Sequence, residues 1–168
     1  MKTLGPNGLR WLKIVHVFLV VVFFGGILSS LAINLHVDFS RYDASYPAYK
    51  HIVLISDHVI RWGAAGTLLV GFIYGFFTKW GFFKHRWVGV KFVLYLVQTV
   101  VGIFIVDNLM MENMHLLETQ QEMALHNPDF LRNHEIRQVA VFFQVAVTTF
   151  IFIISYLKPW KKKKRVTT

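Results

Sequence analysis

Two ionisable residues lie in or beside apolar stretches of the sequence, where a charge is costly and therefore points to function. His16 follows Trp11, an expected interfacial anchor, by five residues, and Lys91 follows Trp87 by four. Gln98 is seven residues beyond Lys91, so the two share one helix face. We predict that His16, Lys91 and Gln98 line a cofactor-binding site. The alternative is that Lys91 extends to the membrane surface and His16 only hydrogen-bonds across helices.

A second polar group lies near the start of the second apolar stretch. Asp57 and Arg61 are spaced i, i+4, which predicts an ion pair that shelters both charges at the membrane boundary. His58 adjoins the pair, and Asp107 is expected at the same level on the third helix. We predict a polar pocket here, in which His58 and Arg61 are a second candidate cofactor-binding pair.

A third candidate site contains Glu112-x-x-His115, whose i, i+3 spacing presents two metal ligands on one helix face. Met111 adds a thioether that suits Cu(I), and His134 is expected at the same level on the fourth helix. We predict a metal site made of Glu112, His115, Met111 and His134. The alternative is an ordinary solvated helix surface.

Composition excludes several other kinds of site. The 168 residues include no Cys, which excludes disulfides, thiolate nucleophiles, iron–sulfur clusters and Cys-ligated zinc. No Ser/His/Asp arrangement has a recognisable spacing, and no Gly-rich phosphate loop is present. Whether the protein is an enzyme stays open. The formal net charge is +9. The excess basic residues flank the apolar stretches, which favours contact with lipid over nucleic acid.

The elements that must position these residues are membrane helices. Hydrophobic residues make up 55% of the chain, and four runs without Lys, Arg, Asp or Glu each approach the ~20 residues that cross a bilayer. These runs are Ile14–Ile33, Trp62–Thr78, Phe92–Val106 and Val139–Leu157. The sequence therefore predicts an all-α membrane protein with a bundle of four transmembrane helices.

Charge predicts how this bundle is oriented. Residues 1–13, 79–91 and 158–168 hold thirteen Lys or Arg and no acid, whereas residues 34–61 and 107–137 hold five basic residues and all nine acids. The positive-inside rule then places both termini in the cytoplasm. We expect a multi-pass protein of the cell (plasma) membrane.

The helix boundaries follow from the same pattern. Residues 107–125 contain no Gly or Pro, so the third helix is expected to extend beyond the membrane on the external side. Asn127-Pro128 would end it. The prediction is a single domain, 1–168, with a basic cytoplasmic tail at 158–168 and helices at about 11–35, 51–78, 87–126 and 134–157.

Two short segments resemble a known group. Leu12-Lys13-Ile14-Val15-His16, with an apolar run into Gly25-Gly26, resembles the opening helix of copper-resistance-D-like membrane proteins and the Lys-x-x-His of HemJ-type protoporphyrinogen oxidases. Trp87-Val88-Gly89-Val90-Lys91 resembles their Trp-x-x-x-Lys helix. The resemblance to this broad group of small four-helix bacterial membrane proteins implies that His16 matches a haem-associated histidine and Lys91 an intramembrane lysine.

Three functions follow as hypotheses. The first is a haem-b-binding membrane protein with a redox or tetrapyrrole-related role. The second is a non-catalytic assembly or interaction subunit, whose acidic segment 107–126 contacts other membrane or extracytoplasmic proteins. The third is a copper-handling membrane protein that uses Met110, Met111, Met114 and the neighbouring His115.

Overall fold

The computed structural model describes residues 4–78 and 85–159, and within these ranges the secondary structure is helical, with no strand. Four helices are long and apolar enough to cross a membrane, which confirms the predicted all-α four-helix bundle. We refer to them in chain order as the first to fourth spans: Pro6–His36, Tyr42–Phe77, Arg86–His126 and Pro128–Leu157. Lys79, Lys84 and the tail from residue 160, on which part of the charge and lipid predictions depends, lie outside the described residues.

The first span is one continuous helix, α1 (Pro6–His36), with a proline in its first turn. This is where the missing N–H and the fixed φ of proline suit a helix. The second span contains α2 (Tyr42–Ile55), a π-helical segment (Ser56–Ile60) and α3 (Arg61–Phe77). It begins at Tyr42 rather than near residue 51, because Pro47 lies close enough to the helix start that its ring and missing N–H disturb only the first turns.

The third span changes its helical form twice. It consists of α4 (Arg86–Val101), a π-helical segment (Gly102–Asp107), α5 (Asn108–Gln120) and a 3₁₀ segment (Gln121–His126). The span continues to His126, as predicted, but the α-helix ends at Gln120. The cause is local: Gln121 has a φ of 51°, which an L-residue in an α-helix does not adopt.

The fourth span, α6 (Pro128–Leu157), begins six residues earlier than the predicted residue 134. Its first turn explains this early start. The side chain of Asn127 accepts a hydrogen bond of 2.9 Å from the backbone N–H of Asp129, which is a helix N-cap. Pro128 then occupies the first helical position, so the residues that end the third span also begin the fourth.

The first and second spans approach most closely at glycines. A Cβ added to Gly63 would lie 2.7 Å from the backbone N of Phe23, and one added to Gly66 would lie 2.8 Å from Leu19. Small residues at such crossings let helix backbones pack in lipid. A Cβ added to Gly71 would meet no atom within 4 Å, so the close contact between the two spans lies about two turns away from Gly71.

The two ends of the bundle differ in chemistry. We call the end that carries residues 34–61 and 107–137 the acidic end, and the opposite end the basic end. A buried cluster fills the acidic end, made of Tyr49, Ile52, Met110, Met114, Leu117, Ala124, Leu125 and Phe130. Between the ends, many large apolar side chains point outward, among them Phe18, Phe104 and Val139. An outward apolar surface of this kind is what contact with lipid requires.

Candidate functional site

A fully buried arginine is the centre of a polar network at the acidic end. Arg137 of α6 has an exposed fraction of 0%. Its Nη2 donates a hydrogen bond to Oδ1 of Asn34 on α1. Its guanidinium carbon lies 5.0 Å from the centroid of the Tyr49 ring on α2, a cation–π geometry. The network therefore draws the first, second and fourth spans together around one cation.

Tyr49 extends this network to the third span. Its hydroxyl accepts a hydrogen bond of 2.8 Å from Nδ2 of Asn113 on α5 and lies 2.9 Å from Nδ1 of His134 on α6. Nδ2 of Asn113 also donates to the backbone carbonyl of Phe130, at 3.0 Å. Tyr49 and Asn113 are fully buried, and His134 is half-buried. Side chains from all four spans thus meet at this level of the bundle.

The buried cation has few compensating partners. Nε and Nη1 of Arg137 have no hydrogen-bond partner among the described residues. Within 4–78 and 85–159, no Asp or Glu forms an ion pair with Arg137. Oγ of Ser45, one turn before Tyr49, is also buried without a described partner. An enclosed guanidinium without an anion costs several kcal/mol, so this arrangement is suited to binding an anionic group.

A shallow, open groove lies at the acidic end between α1 and α2, and its lining does not include Arg137, Asn34 or Tyr49. It has a volume of about 450 Å³, within the ~300–1,000 Å³ of small-molecule sites. Ser40 donates two hydrogen bonds to Asp38, from its hydroxyl at 2.6 Å and from its backbone N–H at 3.0 Å, and these hold the pKa of Asp38 below its usual value. The groove is lined by Ile33, His36, Val37, Asp38, Ala44, Pro47, Ala48 and His51.

An ion-pair cluster bridges the two π-helical segments. Nη2 of Arg61 lies 2.9 Å from Oδ1 of Asp57 and 3.3 Å from Oδ2 of Asp107. The hydroxyl of Ser56 donates a hydrogen bond of 2.7 Å to Oδ1 of Asp107. Segments of π-helix occur frequently at functional sites. The structure thus brings together Asp57, Arg61 and Asp107 of the pocket that the sequence predicts.

The Nδ1 atom of His58 does not face this cluster. Its side chain is exposed, and Nδ1 lies 3.2 Å from the backbone carbonyl of Leu54, one turn earlier. Arg61 already has two carboxylates as partners. The pair His58 and Arg61 is therefore poorly suited to hold the iron and a propionate of haem.

At the basic end, His16 is half-buried and packs against the second span. The centroids of the His16 and Tyr74 rings are 5.6 Å apart, in an edge-on arrangement. Nδ1 of His16 is buried and has no hydrogen-bond partner among the described residues. Lys91 lies on α4, with its Nζ 4.7 Å from the centroid of the Trp87 ring. The ring contact of His16 is thus with the second span rather than the third.

Gln98 is fully buried between the third and fourth spans. Its Oε1 accepts a hydrogen bond of 2.9 Å from Thr148, and its backbone carbonyl accepts one of 3.2 Å from Nε2 of Gln144. His16, Lys91 and Gln98, which the sequence assigns to one site, therefore share none of the contact partners described here. Gln98 joins the third and fourth spans.

The four predicted metal-binding residues have separate surroundings. Oε2 of Glu112 accepts a hydrogen bond of 2.9 Å from Asn133, and Nδ1 of His134 faces the Tyr49 hydroxyl. His115 and Met111 are exposed. In the part of the chain that the structure describes, no three His, Cys, Asp or Glu side chains are arranged to hold a metal ion. Metal binding stays a prediction.

Sequence reasoning does not single out Arg137, Tyr49, Asn34 or Asn113 as site residues. By sequence, Arg137 is one of the charges that set orientation, although it lies two residues before the apolar run that begins at Val139. A cation so close to a spanning segment is a signal in itself. No sequence pattern indicates that Tyr49 and Asn113 meet it.

Residues 10–161 match the model of the family described as "Predicted integral membrane protein (DUF2269)". The chain belongs to this family. Searches of curated proteins and of solved structures found no match. Membership of DUF2269 agrees with the four spans and describes the chain as an integral membrane protein. The copper-resistance-D-like and HemJ-like groups remain a resemblance.

Proposed function

We propose that this integral membrane protein binds haem b through His16 and serves a redox or tetrapyrrole-related role. The observation that carries the proposal is the buried Nδ1 of His16, which has no partner among the described residues. A buried ring nitrogen without a partner is unusual and calls for an explanation. Histidine is a common axial ligand of haem iron, and a metal ion would give this nitrogen the partner that it lacks.

Two side chains of the basic end support the same function. Tyr74 packs edge-on against the His16 ring, which would hold the ring in one orientation. Lys91 is a cation of the basic end, and its ammonium group would pair with a propionate. When bound, haem b supplies one-electron chemistry. The chain's own part is to hold the iron through His16 and to neutralise a propionate through Lys91.

The side-chain oxygen of Gln98 already accepts a hydrogen bond from Thr148, whereas its Nε2 is buried without a partner among the described residues and is the atom of Gln98 left to donate to the cofactor. In this proposal the haem would bind at the basic end rather than the acidic end. At the acidic end, Arg61 is held by two carboxylates and His58 faces its own helix.

An absorption spectrum of the full-length protein, purified in detergent after incubation with haemin, tests this function. We expect a Soret band that titrates to one haem per chain. His16→Ala should abolish the band while the far-UV circular dichroism stays unchanged. The matched control is His115→Ala, which removes an exposed histidine of the acidic end and should leave the band intact. No saturable Soret band in the wild type, or an unchanged one in His16→Ala, would refute the proposal.

The two other hypotheses have less support. For copper handling, Met110 and Met114 pack in the buried cluster of the acidic end, which leaves Met111 as the exposed thioether of the three. For an interaction subunit, the segment 107–126 offers exposed Glu118, Glu122 and Met123, but exposed acidic residues are also what solvation alone would select. Metal analysis of the purified protein and co-purification with membrane partners would test them separately.

A further inference from the structure

We propose that Arg137 is the recognition group of a second binding site, at the acidic end, which takes a small organic carboxylate. This site is distinct from the proposed haem site, since it uses neither His16 nor Lys91. Three observations support it: the burial of Arg137, a groove formed by the same turns of α1 and α2 that carry its partners, and the charges around that groove.

The first step is that Arg137 has no counter-ion within residues 4–78 and 85–159. The side chain has an exposed fraction of 0%, and two of its three guanidinium nitrogens have no hydrogen-bond partner among the described residues. The partners described above are a neutral amide, Asn34, and the face of an aromatic ring, Tyr49. Neither carries the negative charge that a buried guanidinium requires. A carboxylate would supply that charge, and its oxygens match the N–H groups of a guanidinium.

The second step is a route to the arginine. The groove of about 450 Å³ is lined by residues of the end of α1 and the start of α2. The same helix turns carry the buried polar residues of the network, each one directly after a lining residue: Asn34 after Ile33, Ser45 after Ala44 and Tyr49 after Ala48. Arg137 does not itself line the groove, so this proposal requires the Asn34 side chain to move aside before a ligand held there can reach the guanidinium. The unpartnered hydroxyl of Ser45 adds a hydrogen-bond donor on that path.

The third step is the charge and shape of the ligand. Phosphate is usually held by several cations or backbone N–H groups together, whereas this network contains a single guanidinium. Asp38 also lines the groove, together with His36 and His51, and the hydrogen bonds from Ser40 lower the pKa of Asp38. Asp38 is therefore ionised at neutral pH and repels a doubly charged anion more strongly than a singly charged one. The remaining lining includes Ile33, Val37 and Pro47. A singly charged carboxylate with a short apolar body fits these surroundings best.

The experiment measures binding of hexanoate to the full-length protein in detergent by isothermal titration calorimetry at neutral pH. Hexanamide has the same apolar body without the charge, and inorganic phosphate tests the other anion. Three variants are compared with the wild type: Arg137→Gln, Ala44→Phe, which fills the groove without changing the arginine, and Arg132→Gln as the control. Arg132 lies on the same helix with an exposed side chain, paired to Asp129.

We expect saturable binding of hexanoate, with hexanamide and phosphate at least about ten-fold weaker, since a hydrogen bond to a charged group has about this effect. Arg137→Gln should weaken hexanoate binding by about ten-fold or more, Ala44→Phe should abolish it, and Arg132→Gln and His16→Ala should leave it unchanged. If Arg137→Gln does not fold, the loss in Ala44→Phe alone decides.

Several results would overturn the inference. One is no binding of hexanoate by the wild type, and another is equal binding of hexanamide, which would indicate a merely apolar groove. Tighter binding of phosphate would mean that the site takes a different anion. Unchanged binding in either Ala44→Phe or a folded Arg137→Gln would show that the carboxylate binds elsewhere. Because His16→Ala is included, failure of this site and failure of the haem proposal are separate outcomes.

Discussion

Arg137 and Tyr49 face each other between the fourth and second spans, with the guanidinium carbon 5.0 Å from the centroid of the ring. A cation over an aromatic ring contributes ~0.5–2 kcal/mol. Enclosing the cation costs several kcal/mol. The contact with Tyr49 therefore offsets only part of that cost, and the neighbouring polar groups, or a bound anion, must contribute the rest.

The hydroxyl of Tyr49 gives the first prediction. Tyr49→Phe keeps the ring beside Arg137 but removes the partner of Asn113 and His134, so buried polar groups lose a hydrogen bond. We expect the free energy of unfolding to fall by about 1–3 kcal/mol, measured by titration with sodium dodecyl sulfate in mixed micelles. Tyr156→Phe is the control, because Tyr156 is 87% exposed. Equal effects of the two substitutions would contradict the role of the buried network.

The crossing of the first and second spans gives the second prediction. Gly63→Ala places a Cβ about 2.7 Å from the backbone N of Phe23, which no side-chain rotation can relieve. The spans must move apart, and we expect a destabilisation of about 1–3 kcal/mol in the same titration. Gly71→Ala is the control, because it makes the same substitution in the same helix, but the added Cβ meets no atom within 4 Å. It should be neutral or slightly stabilising, and a larger loss there than at Gly63 would contradict the packing described.

The ion-pair cluster between the π-helical segments gives the third prediction. Arg61→Gln removes the cation shared by Asp57 and Asp107 and leaves two carboxylates close together. Because Arg61 has a side chain that is 58% exposed, solvent screens the pairs, and we expect a loss of only about 1 kcal/mol. Arg41→Gln breaks a simpler pair with Asp43, in which both side chains are 66% exposed. That control should change the free energy of unfolding less, and the reverse order would argue against a role for the cluster.

Membrane orientation gives the fourth prediction. Because the chain has no Cys, single cysteines can be labelled without background. In intact cells, a membrane-impermeant maleimide should label Met123→Cys, at a side chain that is 76% exposed at the acidic end. Arg10→Cys, at the basic end, should react only after permeabilisation. Labelling in the opposite order would refute the positive-inside argument.

The class of fold and the number of spans follow from the sequence alone. An apolar run near the length needed to cross a bilayer forms a helix in lipid, because its backbone N–H and C=O groups must then hydrogen-bond within the segment. Asn127-Pro128 predicts the break between the third and fourth spans for a local reason, since proline cannot continue a helix. Two helices start earlier than predicted, at Tyr42 and Pro128. The start at Pro128 depends on the Asn127 cap and a first-turn proline, which hydropathy does not register.

Which polar residues meet depends instead on how the spans pack. Gln98 and His16 are members of one predicted site, but the rotation of each helix about its axis directs Gln98 to Thr148 and His16 to Tyr74. From the sequence alone, Arg137 is one of the charged residues that set the orientation in the membrane. Its burial depends on the other spans closing around α6, and contacts between residues so distant in sequence leave no periodic signal along the chain. The helices follow from local physics, whereas the network around Arg137 exists only once all four spans are packed.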